Sequence, residues 1–215
     1  MKFFKIPVIF TLILFVFSSL LHAQELIEGQ DYEVLTRSIP VLPANKGKIE
    51  ILEAYSFSCS HCRNFDPVIR AHIKTLKQDT VFRPEHVVWD KDAYRELARI
   101  SATITQTKTQ DVLNPLVYKA LFQDKVELYN PEVFKKWLKQ QKGFDQTKFL
   151  SVYASSKTQK EIIRMEKLTH DFSFNSVPSI IVGGKYKAIR SANPQQTLET
   201  IDALVTKIRQ EKRKK

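Results

Sequence analysis

A run of helical periodicity from Asp90 to His170 separates two strand-bearing stretches of this 215-residue chain, and that order leaves few folds open. Asp31 to Leu35 reads as a short first strand, and a proline- and glycine-marked loop follows from Ile39 to Gly47. Ile49 to Phe57 is apolar enough for a central strand. From Ser60 to Lys77, Phe65, Val68, Ile69, Ile73 and Leu76 trace one helical stripe, with Pro67 expected to kink it. Val81 to Trp89 is a further strand, weakened in its first half by Pro84. After the helical block, Ser179 to Val182 and Lys185 to Ile189 flank Gly183-Gly184, a pair suited to a two-residue hairpin turn. Asn130-Pro131 and Asn193-Pro194 are cap-and-proline starts of helices, the second opening the last helix. No internal repeat is present.

Cys59 and Cys62, the only cysteines, lie three apart where the Ile49–Phe57 strand gives way to a helix. A sulfur at a helix N-terminus meets unpaired N–H groups and the positive end of the helix dipole, and both favour the thiolate that attacks disulfides. Cys62, one turn on and deeper, is the resolving partner. His61 between them is placed to stabilise the Cys59 anion. A purely structural disulfide is the weaker reading, because a four-residue loop removes only roughly 2 kcal/mol of unfolded-state entropy. A zinc site is weaker still. The pair is half a ligand set, and His72, His86 and His170 are scattered.

Met1 to Ala23 has the layout of a secretory signal: a basic start, an apolar run from Ile6 to Leu21, and a small residue at the cut. Gln24 is the expected new N-terminus, and the remaining chain suits one domain with a large insertion. Export favours persistent disulfides. The net charge of +11 is concentrated towards Lys207–Lys215, which reads as a solvated basic helix end. No stacking-aromatic or zinc-finger pattern points to nucleic acid.

Three segments in order resemble DsbA-type thiol:disulfide oxidoreductases, thioredoxin-fold proteins of the bacterial periplasm. Glu28-Gly29-Gln30-Asp31-Tyr32-Glu33-Val34-Leu35 is similar to the family's opening. Ile51 to Cys62 is similar to its strand-to-helix active site. Ser176-Val177-Pro178-Ser179 with Ile181 to Tyr186 is similar to its cis-proline signature and hairpin. The resemblance implies an α/β thioredoxin fold with an inserted all-helical domain. Residues 24–89 and 171–215 are its two parts, and 90–170 the insertion. It also implies that Val177 and Pro178 face Cys59 and help to bind extended peptides. Glu53 corresponds to a strand glutamate beneath the active site, where it opposes ionisation of Cys62 or relays its proton; an edge or solvated position is the other reading. Ser60 stands where the best-known members have proline, which bears on the strength of oxidation.

The expected activity is oxidation of cysteine thiols in unfolded exported proteins by a Cys59–Cys62 disulfide. No bound cofactor is required. The resemblance implies a DsbB-like, quinone-linked membrane reoxidase, and a monomer is expected. A monomeric isomerase or reductase is the main alternative. A non-enzymatic peptide-binding chaperone module is a further one.

Overall fold

The computed structural model describes residues 26–214. The expected signal segment and its cut after Ala23 lie outside them. Five strands form one mixed sheet: β1 (Tyr32–Val34), β2 (Ile49–Tyr55), β3 (Thr80–His86), β4 (Ser179–Val182) and β5 (Tyr186–Ala188). Their order is β1-β5-β4-β2-β3. β2 runs parallel to β3 and antiparallel to β4, with Glu53 opposite Pro84 on one side and Ile180 on the other. Helix α1 (Ser60–His72) crosses between the parallel strands, and α7 (Pro194–Arg213) follows β5.

Five helices stand between β3 and β4: α2 (Asp92–Thr107), α3 (Gln110–Phe122), α4 (Pro131–Leu138), α5 (Gln146–Tyr153) and α6 (Ser156–Asp171). The chain leaves the sheet after β3 and returns to its centre at β4, so these helices are an insertion into the thioredoxin-type sheet. Side-chain oxygens of Asn130, Asp145, Ser155 and Asn193 accept backbone N–H groups at the starts of α4, α5, α6 and α7.

Two large apolar clusters hold these layers. Alternation along β2 puts Ile49 and Ile51 with Phe65 and Ile69 of α1, Ile180 and Val182 of β4, and Leu198, Ile201 and Leu204 of α7. The second cluster is mainly helical, built on Leu97, Ile100, Val117, Phe134, Trp137 and Phe149, and it also takes in Tyr55, Phe57 and Cys62. Tyr55 Oη donates to Ser101 Oγ at 2.7 Å, joining β2 to α2. Arg164 of α6 grips Glu85 of β3 with two N–H bonds of 2.7 and 2.8 Å.

Three local expectations are corrected. The helical stripe to Lys77 ends at His72 and tightens into a 3₁₀ turn over Ile73–Thr75; apolar residues spaced by three suit either geometry. Pro67 lies inside α1, which stays helical on both sides of it. β3 starts at Thr80 and stops at His86, short of Trp89, with Pro84 inside it. That proline is tolerated because β3 is an edge strand, with one row of N–H positions that no neighbour needs. The hairpin pairs Val182 with Tyr186, so Lys185 is an extra residue beyond the two glycines. Lys185 N–H closes the turn on Val182 O at 3.2 Å. Gly184 has φ of +67°, and a Cβ there would lie 2.2 Å from Ile39 O. Only glycine fits that approach.

Candidate active site

Three successive N–H groups in the loop from β2 to α1 find acceptors close by. Cys59 N–H donates to Ser56 O (3.1 Å), Ser58 N–H to Ser56 Oγ (3.2 Å), and Phe57 N–H to His86 Nε2 (3.0 Å). His86 is buried at the end of β3, and its Nδ1 lies 2.7 Å from Val87 O. That carbonyl can only accept, so Nδ1 carries the proton and Nε2 is free to receive Phe57. Burial holds the imidazole neutral, pulling its pKa down to about 4.

This loop delivers Cys59 to the N-cap of α1, with φ −98° and ψ 120°. Its sulfur accepts the Cys62 N–H at 3.3 Å and, as a thiol, donates to Val177 O at 3.4 Å. Val177–Pro178 is a cis peptide bond. Cys59 is half-buried and Cys62 fully buried, and neither is in a disulfide. The Cys59 pKa is pulled down to about 6, first by a hydrogen bond from the Cys62 thiol, then by the N–H groups of Cys62 and His61 and by the His61 charge. Burial opposes these. The Cys62 thiol is pushed far up by the same shared hydrogen bond and by burial, with Glu53 adding to it. The two sulfurs divide the labour: one is an anion at neutral pH and the other holds its proton. Ser60 and His61 lie exposed on the outer side of the first turn.

Glu53 lies on the face of β2 that also carries Ile51 and Tyr55, and only 6% of its surface is exposed. The alternative of an edge or solvated residue is therefore overturned. Its carboxyl is pushed up to about 8 by burial first, then by Asp66 and the Cys59 charge. Asp66 lies one turn beyond Cys62 on α1. It accepts from Asn114 Nδ2 at 2.8 Å and pairs with Arg70 Nε at 3.3 Å, yet burial still raises its pKa. Glu53, Asp66 and Asn114 line a cavity of about 170 Å³.

A thiolate at a helix N-cap, a protonated buried thiol one turn later and a cis-proline carbonyl segment beside them form a dithiol exchange centre. The sequence profile of the Thioredoxin family matches residues 40–206. The oxidoreductase NmDsbA1 from Neisseria meningitidis is 40% identical, with a TM-score of 0.82 over 87% of this chain and 96% of that one. The chain belongs to the DsbA family.

Other DsbA proteins extend the match. The thiol:disulfide interchange protein DsbA of Burkholderia cepacia is 29% identical over 187 residues, covering 86% of each chain. The structure of Pseudomonas aeruginosa DsbA is 27% identical, with a TM-score of 0.77 over 86% of this chain and 95% of that one. This DsbA-type chain is a thiol:disulfide oxidoreductase of disulfide-bond formation. Its fold brings Cys59, Cys62, His61, Val177 and Pro178 together at one end of the sheet, with Glu53 beneath them. Ser60 is at the mouth. The sequence did not single out His86, Asp66 or Asn114 for this site. Asp66 had a signal, its i,i+4 spacing from Cys62 on the helix. His86 and Asn114 had none, because their contacts bridge 29 and 48 residues.

Proposed function

We propose that the reaction runs through Cys59, with Cys62 as leaving group and Glu53 as proton store. In the oxidised enzyme a substrate thiolate attacks Cys59 Sγ, and the S–S electron pair leaves on Cys62. The Cys62 anion is buried and needs a proton. Glu53, with its pKa near 8, holds one at neutral pH. A second substrate thiolate then attacks the substrate's own sulfur in the mixed disulfide and expels Cys59. Expulsion is easy because Cys59 is a stable anion with a pKa near 6. The substrate loses two electrons and two protons, and the enzyme becomes the dithiol. Stabilising the reduced form in this way makes the disulfide a strong oxidant. The division of pKa values between the two sulfurs carries this reading.

Substrates are unfolded exported proteins with free thiols. The Val177 carbonyl and Pro178 support an extended peptide beside Cys59, and Ser60 borders the same mouth. A DsbB-like, quinone-linked membrane protein takes the two electrons back. The relatives' shared name supports this setting, as does the signal-like start of the chain, and both point to a periplasmic enzyme released after Ala23. Residues 24–89 and 171–215 form the thioredoxin-like unit, and 90–170 the inserted domain.

The test uses reduced, unfolded ribonuclease alongside scrambled ribonuclease. Oxidised enzyme is expected to restore activity to the reduced substrate stoichiometrically, and Cys62→Ala to accumulate mixed disulfides through Cys59. Rescue of scrambled substrate alone, without added oxidant, would reject the oxidase reading.

A further inference from the structure

The basic end of α7 is exposed at Lys212, Arg213 and Lys214, and two of its side chains tether it to the sheet. Lys212 Nζ donates to Gly47 O (3.0 Å) and Lys48 O (3.4 Å), immediately before β2. Arg209 grips Asp79 with two bonds of 2.6 Å and also reaches Thr80 Oγ1, at the start of β3. The last turns of α7 are thereby fastened to the end of the sheet where the parallel strands begin. Cys59 lies at the other end, beyond the seven residues of β2, a span of about 23 Å.

Two shallow grooves adjoin at this pole. One, of about 440 Å³, is floored by Val41, Leu42, Ile49 and Ile208 and rimmed by Lys46, Lys48 and Lys212. The other is floored by Ile73, Leu76, Val81 and Phe82 and rimmed by Lys48 and Lys77. Lys48 stands between them. Lys46, Lys48 and Lys77 are exposed and make no ion pair among the described residues, and the same holds for Arg213, the last residue of α7. The acids here are already held: Asp79 by Arg209, Glu211 by Lys185, and Glu50, buried, by Arg83. An apolar floor under a ring of uncompensated ammonium groups fits a partner that is anionic on its surface and apolar beneath. Lysine stems cover the apolar part while their heads reach phosphate. Phe82, the one aromatic among the lining residues, is half-buried in the floor, which leaves no platform for stacking bases.

We propose that this pole docks the enzyme on an anionic phospholipid bilayer. The docked protein holds Cys59 away from the lipid and open to substrate thiols, and it leaves the bilayer for its cysteine pair to meet a membrane reoxidase. This inference is independent of the residue roles proposed above.

The test is co-sedimentation of the processed chain, from Gln24 on, with phosphatidylglycerol–phosphatidylcholine vesicles and with pure phosphatidylcholine vesicles at low and moderate salt. Binding is expected only to the anionic vesicles and is expected to weaken with salt. The triple variant Lys46→Glu/Lys48→Glu/Lys77→Glu is expected to lose at least 100-fold in partitioning, from about fivefold per lysine removed. A control triple of equal charge within the insertion, Lys139→Glu/Lys142→Glu/Lys157→Glu, is expected to change it only a few-fold. Both variants should retain full thiol-exchange activity, which verifies their folding. Absence of a preference for anionic vesicles would overturn the proposal, as would equal losses in the two triples. Heparin binding as tight as vesicle binding and lost in the same variant would assign the pole to a soluble polyanion, and would overturn it too.

Discussion

Replacing Glu53 with glutamine should stabilise the reduced enzyme by an amount that depends on pH. The fold favours the protonated carboxyl, since the pKa rises from 4.5 to about 8, with burial as the main cause. A raised acid costs nothing below the unfolded pKa. The cost grows as pH rises and saturates above the folded pKa. Linkage between these two values gives a cost of about 3 kcal/mol at pH 7, less than about 1 kcal/mol at pH 5, and about 5 kcal/mol at pH 9. Glutamine has nearly the same volume and no charge, so Glu53→Gln removes the cost. Urea unfolding of the two reduced proteins at the three pH values reads it directly, with a phosphine reductant present throughout. The expected result is a gap in favour of the variant that widens steadily with pH. The same variant should be reduced by substrate thiols more slowly, since Cys62 loses its nearby proton store. A stability gap that stays flat from pH 5 to 9 would refute a perturbed buried carboxyl at this position.

Cys62→Ala should shift the ultraviolet titration of Cys59 from a midpoint near pH 6 towards that of an ordinary thiol, because the Cys62 thiol supplies the largest stabilising contact. His61→Ala should shift it upward by less, since the backbone N–H groups remain. His86→Leu leaves the buried Phe57 N–H without an acceptor and should cost about 1–3 kcal/mol in urea unfolding. His86 is also held below its unfolded value, so the stability of the wild-type protein relative to the leucine variant should fall as pH drops from 6.5 towards 4. Gly184→Ala should destabilise by more than about 1 kcal/mol, since it adds an unfavourable left-handed conformation to a contact with Ile39 O.

Features written in short stretches were legible before any coordinates. The β4 strand, the capped starts at Asn130 and Asn193, and the cysteine pair at a strand-to-helix junction all rest on contacts within a few residues. The burial of Glu53 was not, because alternation assigns a residue to a face of a strand but does not say what covers that face. Pro84 misled for a related reason, as whether a strand lies at a sheet edge is decided by pairing far along the chain. The partners of Asp66 and Phe57 come from α3 and the end of β3, so the site's tuning groups emerge only once the insertion and the sheet edge are folded together.

Cys62 belongs to an apolar cluster built mostly from residues of the inserted helices. A pared-down redox module made by excising residues 90–170 would therefore flood that sulfur with water and strip the support from Phe57. On the proposed mechanism the helical insertion is what keeps the leaving sulfur dry, so a transplanted pair should carry its insertion with it.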